Sequence, residues 1–377
     1  MVIARHLTSL SRHPLHALLV LLAVLLGGCL DEEIPSPPDW QNLPGWSEDQ
    51  HSEAWPALLN NCRVMPKRDA IWEPICSAAA ALPNPDDAEA RRFFEQYFTP
   101  ELLTAADGDR NGLLTGYYEP LLHGSFTPDE RYRYPLYRTP EQLLIIELDS
   151  LFPELKGKRV RGRIVDGNKV VPFYDRAAID SETAPLKGQE ILWTDSQEDN
   201  FFLQIQGSGR VQLPNGDMIG VGYDNQNGHP YVSIGKVLIE SGKVDRKHMN
   251  LFTLKDWLRD HPDQAQALLN ENPSYVFFNL RETVEEGPRG SLNVPLVAER
   301  SIAVDRDRIQ LGSALWVSTR YPDERPLRKL VFAQDTGGAI RGELRGDFFF
   351  GTGEQAEYHA GRMKQSAEFY LLRPKAN

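Results

Sequence analysis

Cysteine is scarce. The 377 residues hold three, Cys29, Cys62 and Cys76, and neither Cys62 nor Cys76 has histidine, cysteine or acidic neighbours at ligand spacing, which argues against a metal site. A long hydrophobic run is missing as well. The apolar stretch Ala17 to Gly28, "ALLVLLAVLLGG", is too short to cross a bilayer as a permanent helix. Positive charge is in deficit, with 41 Lys+Arg against 53 Asp+Glu. A nucleic-acid partner calls for a basic footprint, so that class is excluded. Electrostatic capture by an anionic envelope surface is excluded too, leaving short-range contacts to grip such a substrate. There is no P-loop Lys-Ser/Thr pair and no strand–GxGxxG–helix context. Ser208 stands in "QGSG", not in a G-x-S-x-G elbow. No internal repeat is visible, and nothing calls for a metal or organic cofactor.

What is present begins with an address. Arg5 and Arg12 precede the apolar run, and the run ends in "LLGGC", so residues 1–28 read as a secretory leader. Small residues directly before Cys29 resemble a bacterial lipoprotein signal, with Cys29 the lipidated first residue of the mature chain. Leu30, rather than aspartate, resembles sorting to the outer membrane. Loss of the leader, with two arginines and no acid, takes the net charge from −12 to −14. Residues 29–44, acidic and proline-rich, read as a tether.

Trp55, Leu58, Leu59 and Cys62, then Trp72, Ile75, Cys76 and Ala79, recur at i, i+3, i+4, i+7, the signature of two amphipathic helices. In an oxidising compartment the two cysteines pair and staple a helical hairpin, or they remain reduced in the core. Ser47 with Gln50 has the form of a capping box. A third helix follows "NPDD", burying Ala90, Phe93, Phe94 and Tyr97. Beyond residue 112 the texture turns to strands and turns. "RVRGRIVDGNKVVPFY" reads as a hairpin, as does "NFFLQIQGSGRVQLPNGDMIGVGY". A helix is expected from Ser233 to a stop at Gly242, and two more before residue 274, the second from Pro262. "LNVPLVAERSIAVD", "ALWVSTR" and "RKLVFAQD" return to strand. The class is α+β and mainly β, and the length favours two domains.

The chemistry concentrates in "QDTGGAIRGELRGDFFFGTG", Gln334 to Gly353. In a strand through "DFFFG", Asp347 and Phe349 face one way, Phe348 and Phe350 the other. A carboxyl beside aromatic rings is desolvated, which raises its pKa as a general acid requires. On spacing alone, Asp335 and Asp347 read sooner as turn caps paired with Arg341 and Arg345 than as a catalytic pair. His229, before a proline, reads as structural.

Several segments in order resemble the membrane-bound lytic murein transglycosylase A family, from about residue 112 to 372. They are "TGYYEP", "YPLYR", "DNFFLQIQGSG", "NGHPYVSIGKVLIESG", "NPSYVFF", "RSIAVD" and the glycine-rich segment itself. The resemblance implies a double-psi β-barrel from residues 45–119 and 286–377, a smaller β-rich domain inserted at 120–285, and a glycan groove between them. It implies cleavage of the MurNAc-β-1,4-GlcNAc bond of peptidoglycan with formation of a 1,6-anhydro ring. By position Asp347 matches the catalytic acid, Asp335 a supporting residue, and Asp305 the third motif aspartate, expected to be structural. Thr115, Gly116 and Tyr117, with Gln206, Gly207 and Ser208, are the expected substrate contacts. Expected partners are the glycan strands and the membrane, through the lipid, on its periplasmic face, with room for cell-wall synthesis or scaffold proteins. Two rival readings stand beside this one: a non-catalytic peptidoglycan-binding lipoprotein, and a two-carboxylate muramidase using Glu119.

Overall fold

The computed structural model describes residues 39–281 and 287–375. The leader, Cys29 and the tether up to residue 38 lie outside them. Three helices come first: α1 (Trp55–Cys62), α2 (Trp72–Ala80) and α3 (Asp87–Tyr97). The capping box forms at α3, where Asp86 accepts from the Glu89 N–H and Glu89 answers to the Asp86 N–H. It does not form at Ser47, which lies inside a short 3-10 turn, Trp46–Glu48, whose N-cap is Gly45. Cys62 and Cys76 are joined by a disulfide across α1 and α2, with Cα atoms 5.4 Å apart. Closing a loop of this length stabilises a fold by about 3 kcal/mol through the unfolded chain.

Strand β1 (Phe98–Leu102) leads to β2 (Gly112–Glu119), and the chain then leaves for a second layer. That layer holds β3 (Leu121–Ser125), β4 (Tyr134–Tyr137), β5 (Leu144–Ile145), β6 (Arg161–Val165), β7 (Lys169–Pro172), α4 (Arg176–Ile179), β8 (Glu190–Thr194), α5 (Gln197–Gln206), β9 (Ser208–Gln212), β10 (Met218–Gln226), α6 (Ile234–Glu240), α7 (Leu251–Asp260), α8 (Pro262–Asn270) and β11 (Val276–Arg281). Its main sheet runs β11-β10-β9-β3-β8-β4, beside a small sheet β5-β6-β7. Asp166 and Gly167, at φ 52° and 82°, turn β6 into β7. "NFFLQIQ" is helix α5, not a strand. Ser196 caps it and Gly207, in the left-handed region, ends it.

The chain returns as β12 (Ser301–Val304), β13 (Ala314–Arg320), β14 (Pro326–Asp335), β15 (Arg345–Thr352), α9 (Glu354–Arg362) and β16 (Lys364–Pro374). Only the last four residues of "LNVPLVAERSIAV" are therefore strand. The order β16-β13-β14-β12-β15-β2, with β2 pairing back onto β16, closes six strands into a ring, and β1 extends it from β16. Two pairs are parallel, β12 with β14 and β15 with β2. Alternation along these strands sorts the side chains. Leu315, Val317, Val331, Ala333, Phe348 and Phe350 fill the interior. Trp316, Leu330 and Phe332 face outward under α1 to α3. Strands buried on both faces explain the unbroken apolar text of this half.

Candidate active site

Asp347 and Asp335 stand in one lateral row of the ring. Ala303 on β12 lies opposite Asp347 on one side and Asp335 on the other. Thr115 on β2 lies opposite Asp347 in turn. Two strand spacings separate the aspartates, about 10 Å between backbones. Strict alternation along β14 would turn Asp335 inward behind Ala333. A register shift in the β12–β14 pairing prevents this. The extra residue lets Gln334 and Asp335 both project outward, as a β-bulge does. Gln334 is fully buried and pinned: Ser301 Oγ donates to it at 2.6 Å, and its amide donates to the Ala57 carbonyl and Asn61 Oδ1, each at 2.8 Å. Helix α1 thereby fixes where Asp335 points.

The two carboxyls have different company. Asp335 is saturated: Oδ1 accepts from the Ser291 N–H and hydroxyl, both at 2.9 Å, and from the Thr336 N–H at 2.8 Å, while Tyr117 donates to Oδ2 at 3.1 Å. Burial still pushes its pKa up against these donors. Among the described residues Asp347 accepts only from the Thr115 hydroxyl, which itself accepts from Arg345 Nη2 at 2.7 Å. Below lie the apolar Phe349, Ala303 and Leu296, with the ring of Tyr117 5.1 Å from that of Phe349. Burial raises the Asp347 pKa to about 6, the Thr115 hydroxyl and Arg345 opposing and Asp335 adding to the rise. Its side chain is nonetheless only half-buried. A carboxyl that is desolvated yet reachable, with a single donor, is equipped to exchange a proton near neutral pH.

The other expected residues fall into place around it. Asp305 is buried and holds the glycine-rich loop, accepting from the Gly342 N–H at 2.9 Å and Arg341 at 3.1 Å. Gly342 there adopts φ 125°, which favours glycine. Burial works against the ionised Asp305 carboxyl, but the Gly342, Asp307 and Arg341 donors outweigh it and hold the pKa below its usual range. Arg341 thus serves Asp305, and Arg345 reaches Asp347 through Thr115.

Three expected substrate contacts have other work. Gly116 points inward, where a Cβ would meet the Phe350 ring at 2.5 Å and α9 at Ala360, so its role is packing. Tyr117 is 8% exposed and spends its hydroxyl on Asp335. Gln206 accepts from the Tyr118 N–H at 3.0 Å, tying the second layer to β2. Gly207 and Ser208 follow it, half-buried beside that junction. Glu119 is no free acid: its side chain is fully buried between Arg210, at 2.8 Å, and Arg281. His229 bonds the Phe173 carbonyl at 2.7 Å and is structural. Sequence reasoning missed Ser291, Thr336, Gln334 and the Arg345–Thr115 relay; only the flanking of Asp335 by Gln and Thr was there to be noticed. Among the described residues no cluster of His, Cys, Asp or Glu could hold a metal ion, and no helix is long and apolar enough to cross a membrane.

Residues 113–279 match the family described as the MltA specific insert domain, and residues 300–373 the 3D domain. The chain is 30% identical over 280 residues to membrane-bound lytic murein transglycosylase A of Escherichia coli K12, covering 72% of this chain and 68% of that protein. It is 33% identical over 268 residues to the homologue from Buchnera aphidicola, covering 69% of this chain and 65% of that protein, just under two thirds. The solved membrane-bound lytic murein transglycosylase of Agrobacterium tumefaciens superposes with TM-score 0.80 at 32% identity, covering 90% of this chain and 97% of that one. Escherichia coli MltA with bound chitohexaose gives TM-score 0.67 at 26% identity, covering 86% and 90%.

Proposed function

The chain belongs to the membrane-bound lytic murein transglycosylase A family, and from that premise we propose that Asp347 is the single acid/base of a peptidoglycan lytic transglycosylase. The carrying observation is the asymmetry of the two aspartates: Asp335 is committed to four donors, whereas Asp347 has one and a pKa near 6. Ordinary glycosidases need two carboxyls because water must be activated or a glycosyl-enzyme formed. One suffices if the sugar supplies its own nucleophile. Asp347 donates its proton to the glycosidic oxygen, and the bond from muramic C1 to that oxygen breaks. The muramic 6-hydroxyl attacks C1, closing the 1,6-anhydro ring, and its proton returns to Asp347. No water enters. Asp335 orients the site and places negative charge toward the oxocarbenium-like transition state.

Thr115, Gly207 and Ser208 remain the proposed substrate contacts, along a groove between ring and second layer. The structure of a relative with bound chitohexaose supports a polysaccharide there. The six-stranded ring with two parallel pairs supports a double-psi barrel as its finer description. Membrane attachment, expected from the relatives' names, is assigned to lipid on Cys29 at the periplasmic face of the outer membrane.

Purified sacculi provide the test. The expected products are soluble muropeptides one water lighter than hydrolysis products. Reducing-end products would indicate a muramidase, and intact glycan with tight binding a scaffold. The pH dependence has a defined sign. The acid must be protonated, so turnover falls as pH rises through about 6. The Thr115 hydroxyl stabilises the ionised form, so Thr115→Val shifts that alkaline limb upward, as a pH–rate profile would record.

A further inference from the structure

The second layer carries a rank of cations that the reaction does not use. Arg159, Arg161 and Arg163 alternate along β6 and its approach, so their side chains share one face at about 7 Å intervals. Each is ordered by a neighbour rather than neutralised. Arg159 lies over the Tyr223 ring, 5.8 Å from its centroid, and Arg163 over Tyr174 at 4.2 Å. Arg161 donates to Asn225 Oδ1 at 3.1 Å. Arg306 approaches the same segment from the ring, its guanidinium 4.0 Å from where a side chain on Gly157, two residues before Arg159, would begin. It stands three residues beyond Ala303, the residue between the two active-site aspartates. Among the described residues none of the four makes an ion pair, in a chain of net charge −12, and the Arg163 Nε is buried without a hydrogen-bond partner. Lining up unneutralised guanidiniums costs repulsion that an anion would relieve, and stacking on aromatic faces holds them ready for bidentate capture of carboxylates.

We propose that Arg159, Arg161, Arg163 and Arg306 form a carboxylate-recognition rank that engages the peptides borne by the glycan strand. This rests on the reading of the chain as a peptidoglycan-cleaving enzyme. The sugar backbone lies at Asp347, and the acidic peptide groups reach across to the second layer. The chain's overall acidity repels such a substrate at long range, so a local cationic rank is where specificity for peptide-bearing strands can reside.

The test compares two probes, peptide-bearing sacculi and glycan strands stripped of peptide by an amidase. Arg159 and Arg306 are exposed, so the Arg159→Gln/Arg306→Gln double variant keeps the fold. It should raise KM on peptide-bearing glycan about tenfold with kcat unchanged, leave the stripped strand unaffected, and recover in the Arg159→Lys/Arg306→Lys variant. The same contrast should appear in binding with Asp347→Asn as the background, read by sedimentation of peptide-bearing sacculi and by fluorescence anisotropy of labelled stripped strands. That readout needs no turnover, so it stands or falls apart from the catalytic proposal. Equal losses on both probes, no loss on either, or loss of binding only to phosphatidylglycerol vesicles would each overturn the assignment.

Discussion

Asp347→Asn should reduce muropeptide release from sacculi by about a thousandfold or more, within the range that removal of a sole acid/base implies. Asparagine cannot donate a proton to a leaving oxygen. It can still accept from the Thr115 hydroxyl through Oδ1, so the local geometry has no reason to change. The melting temperature and sacculus binding should therefore match the parent protein. Activity within tenfold of the parent would remove Asp347 from the role and direct attention to Asp335. Among the described residues Glu119 is no substitute, because it is locked between two arginines.

The largest stability effect is expected at Arg300, far from any chemistry. This residue is 1% exposed and binds Asp49 through both terminal nitrogens, at 2.7 and 2.9 Å, and Glu53 at 2.7 Å. Its side chain thereby ties the segment before α1 to the start of β12. Arg300→Met would keep much of the volume but remove the cation from the Asp49 carboxylate, whose side chain is also 1% exposed, leaving it the Leu330 N–H at 3.1 Å. Breaking a buried pair on one side costs about 3–5 kcal/mol. Thermal unfolding of the variant should begin roughly 5–15 °C lower. An unchanged melting temperature would mean that water or relaxation rescues Asp49.

Much of this was legible in the residues, for physical reasons that differ from place to place. The three N-terminal helices announce themselves because each buries one stripe and exposes the other, as Ala90, Phe93 and Phe94 do on α3. The outward pairing of Asp347 with Phe349 follows from strand alternation alone. Helix α5 hides from the sequence because Asn200 to Gln204 are all buried; a run buried on every side shows no amphipathic period. Its Ser196 cap and left-handed Gly207 were the usable signals. Asp335 could not be placed by alternation at all. A bulge reverses its direction, and the bulge is held by Asn61 and Ala57, more than 270 positions away in sequence. The roles of Glu119 and Gln206, which join β2 to the second layer, are likewise long-range pairings that no local pattern records.

The central claim is that one carboxyl holds its proton up to about pH 6, above the ordinary aspartate range, in a place a glycan can reach. Titration of carbon-13-labelled aspartate by NMR reads this directly, with Asp347→Asn identifying the signal. A carboxyl resonance that titrates near pH 6 and disappears in the variant is the expected result. If the resonance lost in Asp347→Asn titrates near 4, like an ordinary aspartate, the proton is gone before the sugar arrives and the mechanism fails.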